Sequence, residues 1–576
     1  MDVREGVRGL ARNPVSLLSD AAFDVRVLRE VGLLRGIAPD KLAKIMYTVA
    51  RWGVNPGVSS ALAAITDPDA VAVDDELGEL TFEQLHRRSN ALARGLAERG
   101  VEPGDGVGIM CRNHRGFVDA SLAAAKLGAN ILYLNTAFAG RQLAEVMERE
   151  GPEVLVYDEE FENLLEGLPK SVDRVVAWRD EAEDHVGGID KIIDSNDDSD
   201  LRPPSESAKF TILTSGTTGT PKGAQRSSPN GLGAIASLFD RIPYRHGDRF
   251  MIAAPAFHSW GFMHFVVSMA LGGRMVLRRK FDPEGTLEAV AESEAQVLAM
   301  VPVMMQRILE LPEDTLRSYD LSNLRVAALS GSALPGDMAL RWMDLFGDNI
   351  YNLYGSTEVA FATIAGPEDL RKAPGTAGQP PRGTIVKIYD ENGKELPTGE
   401  TGRIFVGSST AFEGYTGGGG KEEIDGLLSS GDVGYFDEDG HLFVAGRDDD
   451  MIVSGGENVF PREVEDLLAE HDAVAEVAVI GVDDEEFGQR LKAFVVVVEQ
   501  KDVSEDDLKG HVKQNLARYK VPREVVFLEE LPRNATGKVL KRELRQREEE
   551  GGEETADQAG AGEPEKEPAT ADDSGD

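Results

Sequence analysis

The chain has 576 residues and a net charge of −40, from 101 Asp and Glu against 61 Lys and Arg. That length exceeds what one hydrophobic core organises, so two or more domains are expected. The charge opposes binding to nucleic acid or to an anionic membrane, and Cys111, the only cysteine, excludes an internal disulfide or a cysteine-built metal cluster. No apolar run reads as a membrane-spanning helix, and Met1-Asp2-Val3-Arg4-Glu5 opens without a secretory hydrophobic stretch, so a cytoplasmic protein is expected. Abundant acid spread along the chain with scarce lysine suits a salt-crowded cytoplasm and points to a halophilic source.

Residues 1–65 alternate apolar and charged positions in a helical manner, as in Leu28, Val31, Leu33 and Leu34, and read as an extension ahead of the main body. Acid on such a face would oppose anionic lipid, so helices packed on the body or on a second subunit, as in a homodimer, are the expectation. Thr81 with Gln84 forms a capping box that predicts a helix over 82–99, stopped by Gly100. Strand-like runs follow at 106–110, 131–133 and 154–157, separated by helical stretches such as 116–126, and strands alternating with helices indicate α/β architecture. Cys111 closes an apolar run and reads as a small buried residue.

A further strand-like run, 210–213, leads straight into Thr214-Ser215-Gly216-Thr217-Thr218-Gly219-Thr220-Pro221-Lys222-Gly223. Glycines that free the backbone, dense hydroxyls and one mobile cation are phosphate-binding chemistry. The string is not a Walker A loop: Pro221 stands where that pattern needs glycine, and Gly223 where it needs the Ser or Thr for magnesium. The glycine run 417–420 before Lys421 fails the same test, because Glu422 follows. After Arg447 the character changes to a compact unit with a helix over 461–470, strands over 474–480 and 490–498, and a helix capped by Ser504. From about Glu548 onward few large apolar residues remain, which predicts a disordered tail. The expected organisation is an extension (1–65), a large domain (66–447), a small α+β domain (448–546) and an acidic tail (547–576).

The loop at 214–223 closely resembles the signature loop of the acyl-adenylate-forming enzymes, and further segments that resemble theirs recur in chain order. They are the aromatic-His segment Ala256-Phe257-His258-Ser259-Trp260-Gly261, then Tyr354-Gly355-Ser356-Thr357-Glu358, Ser430-Gly431-Asp432, Gly446-Arg447-Asp448-Asp449-Asp450, and Pro532-Arg533-Asn534-Ala535-Thr536-Gly537-Lys538.

The resemblance implies a large adenylation domain and a small mobile C-terminal domain hinged at Asp449. It implies ATP, Mg²⁺ and coenzyme A as cosubstrates. Thr214, Ser215, Gly216, Thr217, Thr218, Gly219 and Lys222 would hold the β- and γ-phosphates. Tyr354, Gly355 and the segment Ser330-Gly331-Ser332 would flank adenine, Asp432 would take the ribose hydroxyls, and Arg447 would lie near ribose and α-phosphate. Glu358, with Thr214, would bind Mg²⁺; Thr357 and His258 are expected in the catalytic set, and Lys538 would bridge the carboxylate and α-phosphate. Ser454, Gly455 and Gly456 resemble the lining of a pantetheine tunnel. His258 stands where relatives that activate amino acids carry Asp, which disfavours an amino acid substrate. Trp260, Gly261, Phe262, Met263, Met304 and Met305 are expected around an acyl pocket for a medium- to long-chain fatty acid. The alternatives are an aryl-acid CoA ligase, a ligase that loads a free carrier protein, and an inactive nucleotide-binding regulator.

Overall fold

The computed structural model describes residues 14–33, 37–53, 56–180, 188–214, 222–226, 233–356, 358–408, 414–415, 420–454, 457–484, 488–534 and 537–548. Contacts between α-carbons divide the chain into two units, Met1–Asp449 with Asn534–Lys538, and Asp450–Arg533 with Val539–Asp576. Of the expected acidic tail, Arg547 and Glu548 end a helical stretch, and 549–576 fall beyond the described residues.

The large unit opens on three helices, α1 (Pro14–Glu30), α2 (Pro39–Trp52) and α3 (Pro56–Thr66). Helix α4 (Phe82–Glu98) carries the capping box: Gln84 N–H donates to Thr81 Oγ1 and Thr81 N–H to Gln84 Oε1. It ends one residue short of the predicted limit, with Arg99 as its cap. Helix α5 (Arg115–Leu127) is buried along nearly its whole length.

The first fourteen strands are β1 (Val71–Asp75), β2 (Gly78–Thr81), β3 (Gly106–Met110), β4 (Asn130–Tyr133), β5 (Val154–Asp158), β6 (Asp173–Trp178), β7 (Phe210–Thr214), β8 (Lys222–Arg226), β9 (Arg249–Ile252), β10 (Arg274–Leu277), β11 (Val297–Met300), β12 (Val326–Leu329), β13 (Ile350–Ser356) and β14 (Ala360–Ala365). They form two sheets. The first runs β14-β13-β12-β11-β9-β10-β1-β2, parallel except for the edge pairs β13–β14 and β1–β2. The second joins β8-β7-β4-β3-β5-β6, parallel but for β7–β8, and adds β17 (Gly414–Tyr415) beside β8. Every residue of β11 and β12 is buried, as both-face coverage by crossover helices requires.

A third sheet is antiparallel: β15 (Ile385–Tyr389), β16 (Gly402–Gly407), β19 (Leu427–Phe436) and β18 (Glu423–Ile424) in that order, with β20 (Leu442–Arg447) on β19. In the small unit, β21 (Ile452–Ser454), β22 (Glu457–Val459), β23 (Val474–Asp484), β24 (Gly488–Val497) and β25 (Glu524–Leu528) make one mixed sheet. Helices Pro461–Ala469 and Glu505–Asn515 pack with it, the second capped by Ser504, whose Oγ accepts from Asp507 N–H. The fold is α/β, with a large N-terminal part and a small C-terminal one.

Candidate active site

Strands β12 and β13 are parallel neighbours, Leu329 opposite Asn352, so Ser330-Gly331-Ser332 leaves the end of β12 beside Leu353-Tyr354, which continue in β13 paired with β14. Ligands in open α/β sheets collect at such carboxyl ends. Gly331 takes φ +99°, which favours glycine, and turns the chain between buried Ser330 and exposed Ser332. Beyond Tyr354 the pairing of β13 with β14 slips by one residue, and a Cβ on Gly355 would overlap the Ala360 carbonyl. Ser356 Oγ accepts from the N–H groups of Glu358 and Val359 and closes the turn, and Glu358 is a buried residue, 9% exposed. Thr357 lies outside the described residues.

The hydroxyl of Tyr354 donates to Asp432 Oδ2 at 2.6 Å, with Ser430 Oγ at 3.2 Å. Ser430 in turn donates to the Ile404 carbonyl and accepts from Asp432 N–H, so one buried serine locks the turn that presents the carboxylate. Asp432 on β19 faces Arg447 on β20, and Arg447 Nη1 donates to Asp432 Oδ1 at 3.4 Å. Gly431, at φ +83°, leaves room for that guanidinium, which a Cβ would press at 3.1 Å. Burial raises the Asp432 carboxyl above its ordinary value, against the Tyr354 hydrogen bond and the charges of Arg447, Lys538 and Lys421. Burial and the Asp432 charge push the Tyr354 hydroxyl well up. The phenol therefore stays a donor, and Asp432 keeps a long, weak bond on Oδ1 where a ligand hydroxyl can compete.

Two buried residues, Asn352 and Asn113, were given no role by the sequence reading. The Oδ1 of Asn352 is buried with no hydrogen-bond partner among the described residues, two positions before Tyr354. Asn113 donates to the carbonyls of Ile252 and Ala254 and accepts from Ala256 N–H, pinning the segment that leads to His258. The polar string Arg112-Asn113-His114, just after the apolar run that closes at Cys111, was the available signal.

His258 precedes helix α6 (Ser259–Ala270) and caps it without a side-chain hydrogen bond. Burial lowers its imidazole to about 4, so it is neutral at pH 7. A Cβ on Gly261 would overlap the Pro255 carbonyl, which shows how tightly α6 starts against that turn. The apolar side chains expected around an acyl pocket are mostly core: Trp260, Phe262, Met304 and Met305 are buried in the main cluster, and Met263 is half-buried against it. Trp260 Nε1 donates to the Met300 carbonyl, which settles that ring into the core.

Backbone pairing of Thr214 with Lys222 makes β7–β8 a hairpin around residues 215–221. Ser215, Gly216, Thr217, Thr218 and Gly219 lie outside the described residues, as do the side chains of Thr214 and Lys222. Lys538 is exposed in a turn where Asn534 Oδ1 accepts its N–H and Gly537 takes φ +77°. By its contacts Asn534–Lys538 belongs with the large unit, and Gly537 lies so near Val303 that a Cβ would overlap it. Ser454 is buried at the end of β21; Gly455 and Gly456 are not among the described residues.

Cys111, His114 and Asp158 form a second, closed cluster, all fully buried and close enough to suggest a metal site. Hydrogen bonding argues otherwise. Gly116 N–H donates to His114 Nδ1, so Nε2 carries the proton and donates it to Asp158 Oδ1 at 2.8 Å. Arg112 N–H holds Asp158 Oδ2. No imidazole lone pair is left for a cation, and burial pushes the Cys111 thiol up, away from thiolate.

Residues 62–416 match the family model "AMP-binding enzyme", and 463–538 match "AMP-binding enzyme C-terminal domain". A feruloyl-CoA synthase of Amycolatopsis sp is 33% identical over 83% of this chain and 96% of its own. The fatty acid--[acyl-carrier-protein] ligase ScoC of Streptomyces coeruleorubidus is 30% identical over 84% and 94%. Among solved structures, ATP-bound MatB from Rhodopseudomonas palustris superposes with a TM-score of 0.75 at 27% identity, over 86% of this chain and 99% of that one. The anthranilate CoA ligase AuaEII in complex with anthranoyl-AMP gives 0.77 at 26%, over 86% and 97%. With both domain models matched in order and relatives of 30% identity or more over most of its length, the chain belongs to the AMP-binding enzyme family and is an AMP-forming acid–thiol ligase.

Proposed function

We propose that this enzyme activates a medium- to long-chain fatty acid with ATP and passes the acyl group to coenzyme A. The carboxylate oxygen attacks the α-phosphorus, pyrophosphate leaves, and the CoA thiol then attacks the carbonyl of the acyl-adenylate and displaces AMP. The reading rests on the Tyr354–Asp432–Arg447 cluster. Asp432 accepts from the ribose hydroxyls, Arg447 approaches the α-phosphate side, the Tyr354 ring covers adenine, and Asn352 Oδ1 accepts from the adenine amino group. Ser330, Gly331 and Ser332 run along the base, and Gly355 lets β13 turn away beneath it.

Bringing two anions together needs positive charge at the α-phosphate, and Lys538 supplies it. Thr214 to Thr218 with Lys222 hold the outer phosphates. Glu358, a nearly buried hard oxygen donor, fits Mg²⁺, which with the Thr214 hydroxyl it would hold; the ion offsets phosphate charge. Thr357 contributes a hydroxyl on the phosphate side. Neutral His258 serves as an uncharged hydrogen-bond partner for the carboxylate, and Ser454, Gly455 and Gly456 lie along the thiol arm of CoA. A halophilic, cytoplasmic setting and a homodimer complete the proposal.

An aryl acid is the second reading, favoured by similarity to a feruloyl-CoA synthase and to an indoleacetate--CoA ligase of Aromatoleum aromaticum. AMP release in high KCl, with Mg-ATP, across graded fatty acids, ferulate and an amino acid, with and without CoA, decides between them. CoA-dependent turnover peaking at one aliphatic length supports the fatty acid; a peak at ferulate gives the aryl acid, and release independent of CoA gives another acceptor. Lys538→Ala lowers adenylate formation by about 10³-fold while ATP still binds; unchanged turnover would sink the mechanism.

A further inference from the structure

Helix α2 carries no fully buried residue. Six large apolar side chains stand exposed among the described residues, and three are on this helix: Leu42, Met46 and Tyr47, at 45%, 65% and 63%. Leu42, Met46 and Ala50 follow at steps of four, with exposed Ala43 and Tyr47 beside them, so they form one stripe along the helix. The opposite side, with Lys41, Ile45, Val49 and Trp52 half-buried, packs on α3, and Lys41 Nζ donates to the Thr66 carbonyl there. Two exposed cations seven residues apart, Lys44 and Arg51, border the apolar stripe, and Asp40 is the only acid on the helix.

The local charge runs against the chain as a whole. Residues 1–66 hold nine Lys and Arg and six Asp and Glu, a surplus of three positive charges in a protein whose total is −40. On the helix itself Lys41, Lys44 and Arg51 outnumber the one acid, exposed Asp40 in its first turn. An apolar stripe edged by long basic side chains is the form of a helix that lies in the plane of a lipid interface, its cations reaching the headgroups. A second copy would set Lys44 and Arg51 of two stripes against each other under isologous symmetry, in two bodies already strongly negative.

We propose that α2 is an interfacial helix that docks the enzyme on an anionic lipid surface. The apolar stripe supplies the anchoring and the basic border selects the headgroup charge. Repulsion between the acidic body and the same surface is screened beyond about 8–10 Å in ordinary salt, and sooner in a halophile's cytoplasm, so a local patch can hold what the net charge opposes. Helix α3 links α2 to α4, α5 and α6, and α6 is the helix that follows His258, so docking sets the acyl end of the large unit two helices from the lipid. The inference stands whichever acid is activated.

The test is co-sedimentation of the full chain with vesicles of phosphatidylcholine alone and with added phosphatidylglycerol, in the salt that keeps the enzyme active. Wild type is expected to pellet with the anionic vesicles. Met46→Glu with Tyr47→Glu loses about tenfold or more of the partitioning, Lys44→Glu with Arg51→Glu loses the preference for phosphatidylglycerol, and Met46→Leu with Tyr47→Phe keeps both. Unchanged AMP release on a soluble acid shows that each variant is folded. Tyr47→Trp gives a second readout, a blue-shifted emission quenched by brominated lipid. Absence of wild-type pelleting with either vesicle overturns the proposal. So does a wild-type dimer that Met46→Glu with Tyr47→Glu converts to monomer while vesicle binding is unaltered.

Discussion

Asp432 and Asp158 each gather a ring of chemistry-bearing side chains inside the large unit, and only one of the rings is open. Around Asp158, His114 and Arg112 N–H donate short bonds to both oxygens, and the carboxylate has no exposed surface. Around Asp432 one oxygen is held at 2.6 Å by Tyr354, while the other keeps only a 3.4 Å bond from Arg447, and the side chain is 15% exposed. A satisfied cluster is framework; a cluster with acceptor capacity left over is prepared for a ligand. Side-chain identity alone would have ranked Cys-His-Asp above Tyr-Asp-Arg as a reactive site.

Replacement of the two carboxylates breaks the comparison most directly. Asp432→Ala is expected to lower kcat/KM for ATP by about 10³-fold, roughly 4 kcal/mol, with little change in melting temperature. Asp158→Ala strands the His114 and Arg112 donors in the interior and costs about 3 kcal/mol of stability, yet the folded fraction keeps its turnover. Steady-state kinetics beside urea denaturation separates the outcomes; equal stability losses for both variants would erase the distinction.

Acid sharpens the same contrast through a third polar group. His264 is fully buried, accepts from the Tyr244 hydroxyl and donates to the Trp260 carbonyl, and burial lowers it from 6.5 to about 4. The unfolded chain takes up that proton first, so stability present above pH 6.5 is lost as pH falls toward 4, by about 2 kcal/mol between pH 7 and 5. Asp432, raised by burial, acts in the opposite sense: the folded state binds its proton first, and acid favours the fold while removing the acceptor that the proposed ribose contact needs. Denaturation of wild type and His264→Gln across this range is expected to show the slope flattened in the variant.

These differences also mark what the sequence could show. The capping box at Thr81, the runs that became β3 to β5 and the loop-flanking strand β7 depend on neighbours in the chain, and periodicity exposes them. The partners of Asn113 lie some 140 residues away, so its hold on Ile252, Ala254 and Ala256 had no local signature. Trp260 and Met305 have the composition of a pocket lining and the packing of a core, which composition cannot separate. Likewise α2 has an ordinary amphipathic pattern; only the fold shows that α3 covers one side of it and leaves Leu42, Met46 and Tyr47 bare.

The smallest change tests how Asp432 is kept open. Tyr354→Phe preserves the ring that would cover adenine and deletes only the hydroxyl whose bond to Asp432 holds the carboxyl down against burial. Loss of one hydrogen bond to a charged group is worth about 1.5 kcal/mol at the low end of its range, so KM for ATP is expected to rise roughly tenfold with kcat nearly unchanged. With that bond gone the Asp432 carboxyl moves further up, and the KM effect should grow as pH falls. Titration of KM against pH in wild type and Tyr354→Phe measures this: a constant ratio at every pH would mean that the hydroxyl only positions the ring, whereas a ratio widening toward acid shows that it sets the charge of the ribose acceptor.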